Sequence, residues 1–270
     1  MTHPRIVHLS DPHFGTEDPL LIAPLLQAIT DLRPEVIVLS GDLTQRARPD
    51  QFAAAARFIT ACPAPVLAIP GNHDTPLFNL VQRLARPWQR WQHAIGALEP
   101  VIETPHLLVV GLNTANPRAW KDGRITPAQT ARLARLMAQA GPRRRILAMH
   151  HPLQGPPSAP PALQGAQAAI PAILAAGVEI VLSGHLHSTY AAPVPAAPGL
   201  LSVQAGTCLS DRMRQDGRAF TSLSLHPGGV TLTHHRAQPD RTYRADADWT
   251  LARTPAGWVD RPAESAAPRG

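Results

Sequence analysis

Short, unbroken apolar runs recur along the chain as far as Leu182, and each empties into a polar cluster. Arg5 to Leu9, Val36 to Leu39, Val66 to Ile69, Leu107 to Leu112, Arg145 to Met149 and Val178 to Leu182 run apolar with little alternation. That is the pattern of strands buried on both faces. Between them the apolar spacing lengthens to that of amphipathic helices. It predicts helices over Ala23 to Leu32, from an N-cap at Asp50 through Ala61, and over Leu77 to Ile95 with a break near Pro87. Thr126-Pro127-Ala128-Gln129 opens a further helix, with Thr as cap, Pro in the first turn and Gln closing a capping box. Gly141-Pro142 ends it, and another helix reaches Ala176 before Gly177. Pro152 to Gln164 is rich in Pro and Ser and reads as a rim loop.

From Leu200 the pattern changes. Short runs at Leu200 to Ala205, Phe220 to Leu225 and Val230 to Thr233 follow one another with Gly turns and no helix between. They predict a second, mostly antiparallel sheet. Arg236 to Gly270 is polar and poorly patterned, with Trp249 and Trp258 as candidate anchors. We therefore divide the chain into a domain over 1–235 and an extension over 236–270 that packs on it or is partly disordered.

Composition narrows the class. A 270-residue chain that is 44% hydrophobic can build an ordinary core, but with 4% aromatics it must do so from Leu, Val, Ile and Ala. The net charge is +6, carried almost wholly by Arg, which favours phosphate-bearing partners. The longest basic run is Arg143-Arg144-Arg145, too short and isolated for a nucleic-acid footprint. Cys62 and Cys208 stand far apart in no metal spacing and read as reduced thiols. No apolar run approaches the ~20 residues needed to cross a bilayer. Met1 to Arg5 lacks a signal-peptide pattern. The expectation is a soluble, cytoplasmic protein, with a homodimer left open.

The polar clusters carry the chemistry. Ala68-Ile69-Pro70-Gly71-Asn72-His73-Asp74 places an amide, an imidazole and a carboxylate at the carboxyl end of a buried strand, where open α/β sheets bind ligands. Other strand ends deliver Asp11 and His13, Asp42, His150, and His185 and His187. An extended backbone would point Asp11 and His13 the same way. Oxygen and nitrogen donors without thiolate suit Mn, Fe, Zn or Co. There are more donors than one cation uses, and two cations sharing a carboxylate would employ them all.

The series Asp11-Pro12-His13, Gly41-Asp42, Gly71-Asn72-His73-Asp74, His150-His151-Pro152 and Gly184-His185-Leu186-His187 resembles the calcineurin-like metallophosphoesterase superfamily, in the branch that includes bacterial cyclic-nucleotide phosphodiesterases. The resemblance covers roughly the first three quarters of the chain. It implies an α/β fold, a four-layer α/β/β/α sandwich with two mixed sheets flanked by helices. It implies two divalent or trivalent metal ions, one held by Asp11, His13 and His187, the other by Asn72, His150 and His185, with Asp42 bridging. It further implies attack on a phosphodiester by a metal-bound hydroxide, His73 facing the substrate together with Asn72, and Asp74 orienting His73.

Each residue also has an ordinary reading. Asp11 and Asp42 suit turns, Asn72 suits a left-handed position, and His185 and His187 suit loops. His151 reads as structural, Arg46 and Arg48 as a solvated face, and Cys208 as a packed thiol. His3, His8, His93, His106, His226, His234 and His235 read as surface or packing histidines. Asn113 and Arg124 are further candidates for gripping a phosphate. The competing functions are a phosphomonoesterase, a nucleotide-sugar or lipid pyrophosphatase, a nuclease, or a scaffold that binds metal without catalysis. A nuclease would show a basic groove, and a lipid-headgroup enzyme an exposed apolar lid, for which Leu77 to Ile95 is the place to look.

Overall fold

The computed structural model describes residues 3–155, 162–212 and 217–261. In chain order the first half comprises β1 (Arg5–Leu9), α1 (Ile22–Leu32), β2 (Val36–Leu39), α2 (Pro49–Ala61), β3 (Val66–Ala68), α3 (Leu80–Ala85), α4 (Gln89–Ala94), β4 (Val101–Glu103) and β5 (Leu107–Leu112). There follow β6 (Gly123–Arg124), α5 (Pro127–Met137), β7 (Arg144–Met149), β8 (Leu163–Gln164), α6 (Ala166–Ala175), β9 (Ile180–Ser183), β10 (Tyr190–Val194), β11 (Ala197–Gln204), β12 (Ala219–His226), β13 (Gly229–Ala237), β14 (Tyr243–Thr254) and β15 (Gly257–Asp260).

Two large sheets face each other. One has seven strands in the order β15-β14-β13-β12-β1-β2-β3, the other six in the order β10-β11-β9-β7-β5-β4. Strand parity explains the layers. Ile6, Val36 and Val38 point between the sheets and meet Val109, Ile146 and Leu182 from the other side. Their neighbours Val7, Leu9, Ile37 and Leu39 point outward to Leu25 and Ile29 of α1 and to Phe52 and Phe58 of α2. Leu147 and Met149 point outward from the second sheet to Leu133 and Met137 of α5 and Ile170 and Ile173 of α6. Both faces of each central strand are covered, so the strands carry no polar alternation. The result is the four-layer α/β/β/α sandwich with two mixed sheets.

The late strands do not make a sheet of their own. β12 pairs antiparallel with β1, and β11 pairs parallel with β9. Both join sheets begun in the first half, because β1 and β9 each leave an edge open on that side. The stretch from Arg236 continues the first sheet, with β14 antiparallel to β13 and β15 antiparallel to β14. Its boundary with the preceding residues falls inside β13. Trp258 is buried and donates to Gly199 O at 3.1 Å, whereas Trp249 is 41% exposed, its ring tilted against that of buried His234. Helix starts follow the local chemistry. Thr126 and Gln129 form the reciprocal box, Thr126 N–H donating to Gln129 Oε1 at 2.9 Å, and α2 starts at Pro49, one residue before Asp50. Within Pro152 to Gln164, residues 156–161 lie outside the described set.

Candidate metal centre

The parallel strands β1, β2, β7 and β9 end on the same side, and the loops after them converge. Asp11 N–H donates to Gly41 O at 3.1 Å, His13 N–H to Asp42 O at 3.1 Å, and Gly184 N–H to His150 O at 3.0 Å. These backbone bonds fix the ligand-bearing turns to one another before any side chain is considered. Close approach demands glycine. A Cβ on Gly71 would overlap the Asp42 carboxylate, and one on Gly184 would overlap Ser10 Oγ and Asp11 Oδ2. Asp11 and His13 converge, but not through an extended backbone. Both have left-handed φ, 51° and 47°, as do Asp42, His185 and His187. Most of the non-glycine residues with left-handed φ among the described residues are therefore candidate ligands, a concentration of backbone strain that marks functional sites.

Two groups of donor atoms form. Asp11, His13, Asp42 and His187 each aim one ligand atom into a common space. His13 Nε2 lies 3.1 Å from His187 Nε2, and Asp11 Oδ1 lies 3.2 Å from His187 Nε2. Beside this group, Asn72 Oδ1 is 3.2 Å from both His150 Nε2 and His185 Nδ1, and those two nitrogens are 3.3 Å apart. Asp42 lies between: its Oδ2 is 3.8 Å from His13 Nε2 and 3.4 Å from His150 Nε2. Its Oδ1 is occupied, accepting the His73 N–H at 2.8 Å.

The donor set fits cations. Backbone carbonyls take the far nitrogens of two rings: His150 Nδ1 donates to Ser40 O at 2.8 Å and His187 Nδ1 to Arg212 O at 2.7 Å. The Nε2 lone pair of each neutral ring therefore points inward, the usual tautomer control at metal sites. Asp11 Oδ2 accepts from Ser10 Oγ at 2.5 Å and from the His185 N–H at 3.0 Å, while its buried Oδ1 has no hydrogen-bond partner among the described residues. Lone pairs crowded together without donors call for positive charge. The titration tendencies agree. Burial opposes ionisation of Asp11 and Asp42, yet the surrounding imidazoles hold both carboxyls below the ordinary carboxylate range. Burial lowers His13 to about 3 and, with His150 beside it, His185 to about 4. Burial also opposes a charge on His150, but Asp42 outweighs it and raises this ring to about 9. A proton is thus attracted where a cation would sit.

His73 lies at the mouth. Its Nδ1 donates to Gln45 O at 2.9 Å, leaving Nε2 to accept from Arg212 Nη1 at 2.9 Å. The orienting role expected of Asp74 falls to Gln45. The Asp74 carboxylate turns away and accepts from Leu43 N, Thr44 N, Thr44 Oγ1 and Gly71 N, tying the Asp42 loop to the His73 loop. Burial, with Asp42 nearby, raises the Asp74 carboxyl to about 7 against these donors. Arg46 is no solvated face: it packs 3.3 Å from His73 and donates to Gln45 O. A small open cleft lies here, lined by Arg46, Asn72, His73, Leu77, Arg83 and Trp120 among others.

Other expectations settle differently. Asn113 Oδ1 accepts from Ala115 N, and Arg124 is exposed on β6; neither lines the cleft. His151 is buried beside the second group, but its Nδ1 meets Thr114 Oγ1 and its Nε2 Lys121 O, each at 2.9 Å, so both nitrogens are engaged. His8 is more than packing: its Nε2 meets Ser40 Oγ at 2.9 Å, Ser40 Oγ donates to Ser10 Oγ at 2.8 Å, and Ser10 holds Asp11. Arg212, Gln45 and Ser40 carry no sequence signal, since all three act through backbone carbonyls.

Comparison with known proteins bears on this geometry. The sequence profile of the calcineurin-like phosphoesterases matches residues 4–189, which hold every candidate ligand. The chain belongs to this family. Among curated relatives, the glycerophosphodiester phosphodiesterase GpdQ of Enterobacter lignolyticus is 27% identical over 54% of this chain and 56% of its own length, so that match spans little more than half of either protein. A cAMP/cGMP dual specificity phosphodiesterase of Mycobacterium tuberculosis is 28% identical over 76% of this chain and 69% of that protein. In fold, the chain is similar to a purple acid phosphatase from yellow lupin seeds (TM-score 0.68, 14% identity, 93% of this chain and 54% of that one). It is also similar to a dimetal phosphatase from Danio rerio (TM-score 0.65, 14% identity, 94% and 100%).

Proposed function

We propose that the protein is a dinuclear-metal-dependent phosphodiesterase acting on small phosphodiesters, cyclic nucleotides among them. The observation that carries this reading is the placement of Asp42 Oδ2 between two clusters of inward-facing donors, next to a cleft that exposes His73. Asp11, His13 and His187 would hold one ion, Asn72, His150 and His185 the other, and Asp42 would serve both. Such a pair supplies Lewis-acid activation of water and of the phosphoryl group; the donor set suits Mn or Fe, with Zn and Co as alternatives.

The chain's own residues do the rest. The Arg46 and Arg212 guanidiniums flank His73 and suit the non-bridging oxygens of a phosphate. As the ester P–O bond breaks, the departing alkoxide needs a proton, and His73 Nε2, an acceptor at the cleft, is placed to take one from the attacking water and pass it on. Arg212 gives up that nitrogen when the phosphate arrives. Gln45 O keeps the ring from turning meanwhile. The names of the relatives favour diesters over monoesters. Cys62 and Cys208, both free, fit a cytoplasmic setting.

The test is hydrolysis of bis(p-nitrophenyl) phosphate by protein loaded with manganese, beside p-nitrophenyl phosphate and a pyrophosphate. Folded, metal-replete protein that turns over none of these would refute the reading. A preference for the monoester would move it to phosphatase chemistry on the same residues.

A further inference from the structure

α3 turns its apolar face away from the protein. At ~100° per residue, Leu80, Val81 and Leu84 share one arc of the helix, and they are 61%, 79% and 64% exposed. Phe78 just before them is 79% exposed, and Trp120 on the facing loop 66%. These are most of the large hydrophobic side chains exposed among the described residues. Concentrated exposure of this kind marks an interaction surface.

The arrangement is built, not frayed. Arg83, buried on the opposite side of α3, donates to Thr75 Oγ1 at 2.8 Å, Pro76 O at 3.1 Å, Pro117 O at 2.7 Å and Ala119 O at 2.6 Å. Its guanidinium carbon also sits 5.3 Å from the centre of the Trp120 ring. One arginine thus fixes both halves of the apolar face and leaves Leu77 and Trp120 as walls of the cleft. The charge around it is mostly positive. Thr75 to Leu98 contains no Asp or Glu but has Arg83, Arg86 and Arg90, and Ala115 to Arg124 sets Arg118, Lys121 and Arg124 against Asp122. Arg86, Arg118, Lys121 and Arg124 are exposed.

We propose that this face seats on an anionic lipid surface, with the cleft opening toward the headgroups. Aromatic and aliphatic side chains ringed by cations enter the headgroup boundary of such a surface. A second copy docked here across a twofold axis would instead set these cations against their own equivalents.

The experiment is co-sedimentation of the full chain with vesicles of phosphatidylcholine alone or with phosphatidylglycerol. Binding should be several-fold greater with phosphatidylglycerol and fall with added salt. Phe78→Ser with Val81→Ser should weaken it by roughly tenfold or more, and Arg86→Glu with Arg118→Glu should abolish the preference for the anionic lipid. Hydrolysis of bis(p-nitrophenyl) phosphate by both variants should match the parent, which also reports that they fold. Equal sedimentation with the two vesicles, or binding indifferent to both variants, overturns the proposal. So does a dimer in light scattering that the Phe78/Val81 variant dissociates. Vesicle binding by a protein that hydrolyses no ester would uphold this inference while refuting the reaction.

Discussion

The floor of the cleft and its rim are built on opposite terms. On the floor Asp11, His13 and His150 are fully buried and Asp42 nearly so, and backbone hydrogen bonds lock their turns together. On the rim Phe78, Val81 and Trp120 stand in solvent, and one guanidinium, that of Arg83, holds the two segments in place. The floor presents acceptors that need cations, whereas the rim presents apolar surface and positive charge. Under the proposed function, the reaction belongs to the floor and the choice of what reaches it to the rim. Substitutions on the floor should remove metal and turnover together, and those farther out should alter turnover or binding alone.

The sharpest test is Asp42→Ala. One side chain facing both donor groups should take metal content and activity down together, with kcat/KM falling by ~10³-fold or more, read by elemental analysis beside the diester assay. Retention of two ions would break the contrast at its strongest point. His73→Ala should keep the metals and lose ~10²–10⁴-fold in kcat, the range for a positioned proton-transfer group. Unchanged turnover would remove His73 from the mechanism. Arg212→Ala keeps the carbonyl that holds His187 and removes only the guanidinium at His73. Metal content should hold while KM rises ~10–100-fold, the worth of a charged hydrogen bond; a loss confined to metal content would make Arg212 structural. A further test lies in pH. His150, raised to about 9, and His187, also raised because Asp11 outweighs its burial, must shed a proton to bind metal. Affinity should climb with pH up to about 9 and then level off, by as much as about tenfold per pH unit for each proton displaced. Isothermal titration with manganese from pH 6 to pH 9 would show it, and a flat profile would deny that these rings are ligands.

The floor was legible in the sequence because most of the apolar runs stop at a candidate ligand. Val36–Leu39 is followed at once by Ser40-Gly41-Asp42, and the same strand length serves both the core and the site. The rest was hidden for physical reasons. Gln45 holds His73 through a carbonyl, and every residue has a carbonyl. The family resemblance implied that Asp74 orients His73, but the short helical turn over Asn72–Asp74 sends the two side chains apart. β14 is largely exposed, with Tyr243 and Leu251 its buried positions, so its composition resembles a polar tail. Leu80, Val81 and Leu84 were read as part of a helix, and nothing in their spacing tells a core-facing stripe from one facing out.

Five of the candidate ligands hold a left-handed backbone. A non-glycine residue in that region costs on the order of 1–2 kcal/mol, and Asp11, His13, Asp42, His185 and His187 all sit there. Backbone strain alone would favour glycine at such positions; the hydrogen bonds that Asp11 and Asp42 accept and, under the proposed function, the need to hold ions oppose that drift. A lineage that stopped using the reaction would meet little resistance in discarding these side chains, and would inherit a sturdier sandwich whose shape outlives its chemistry.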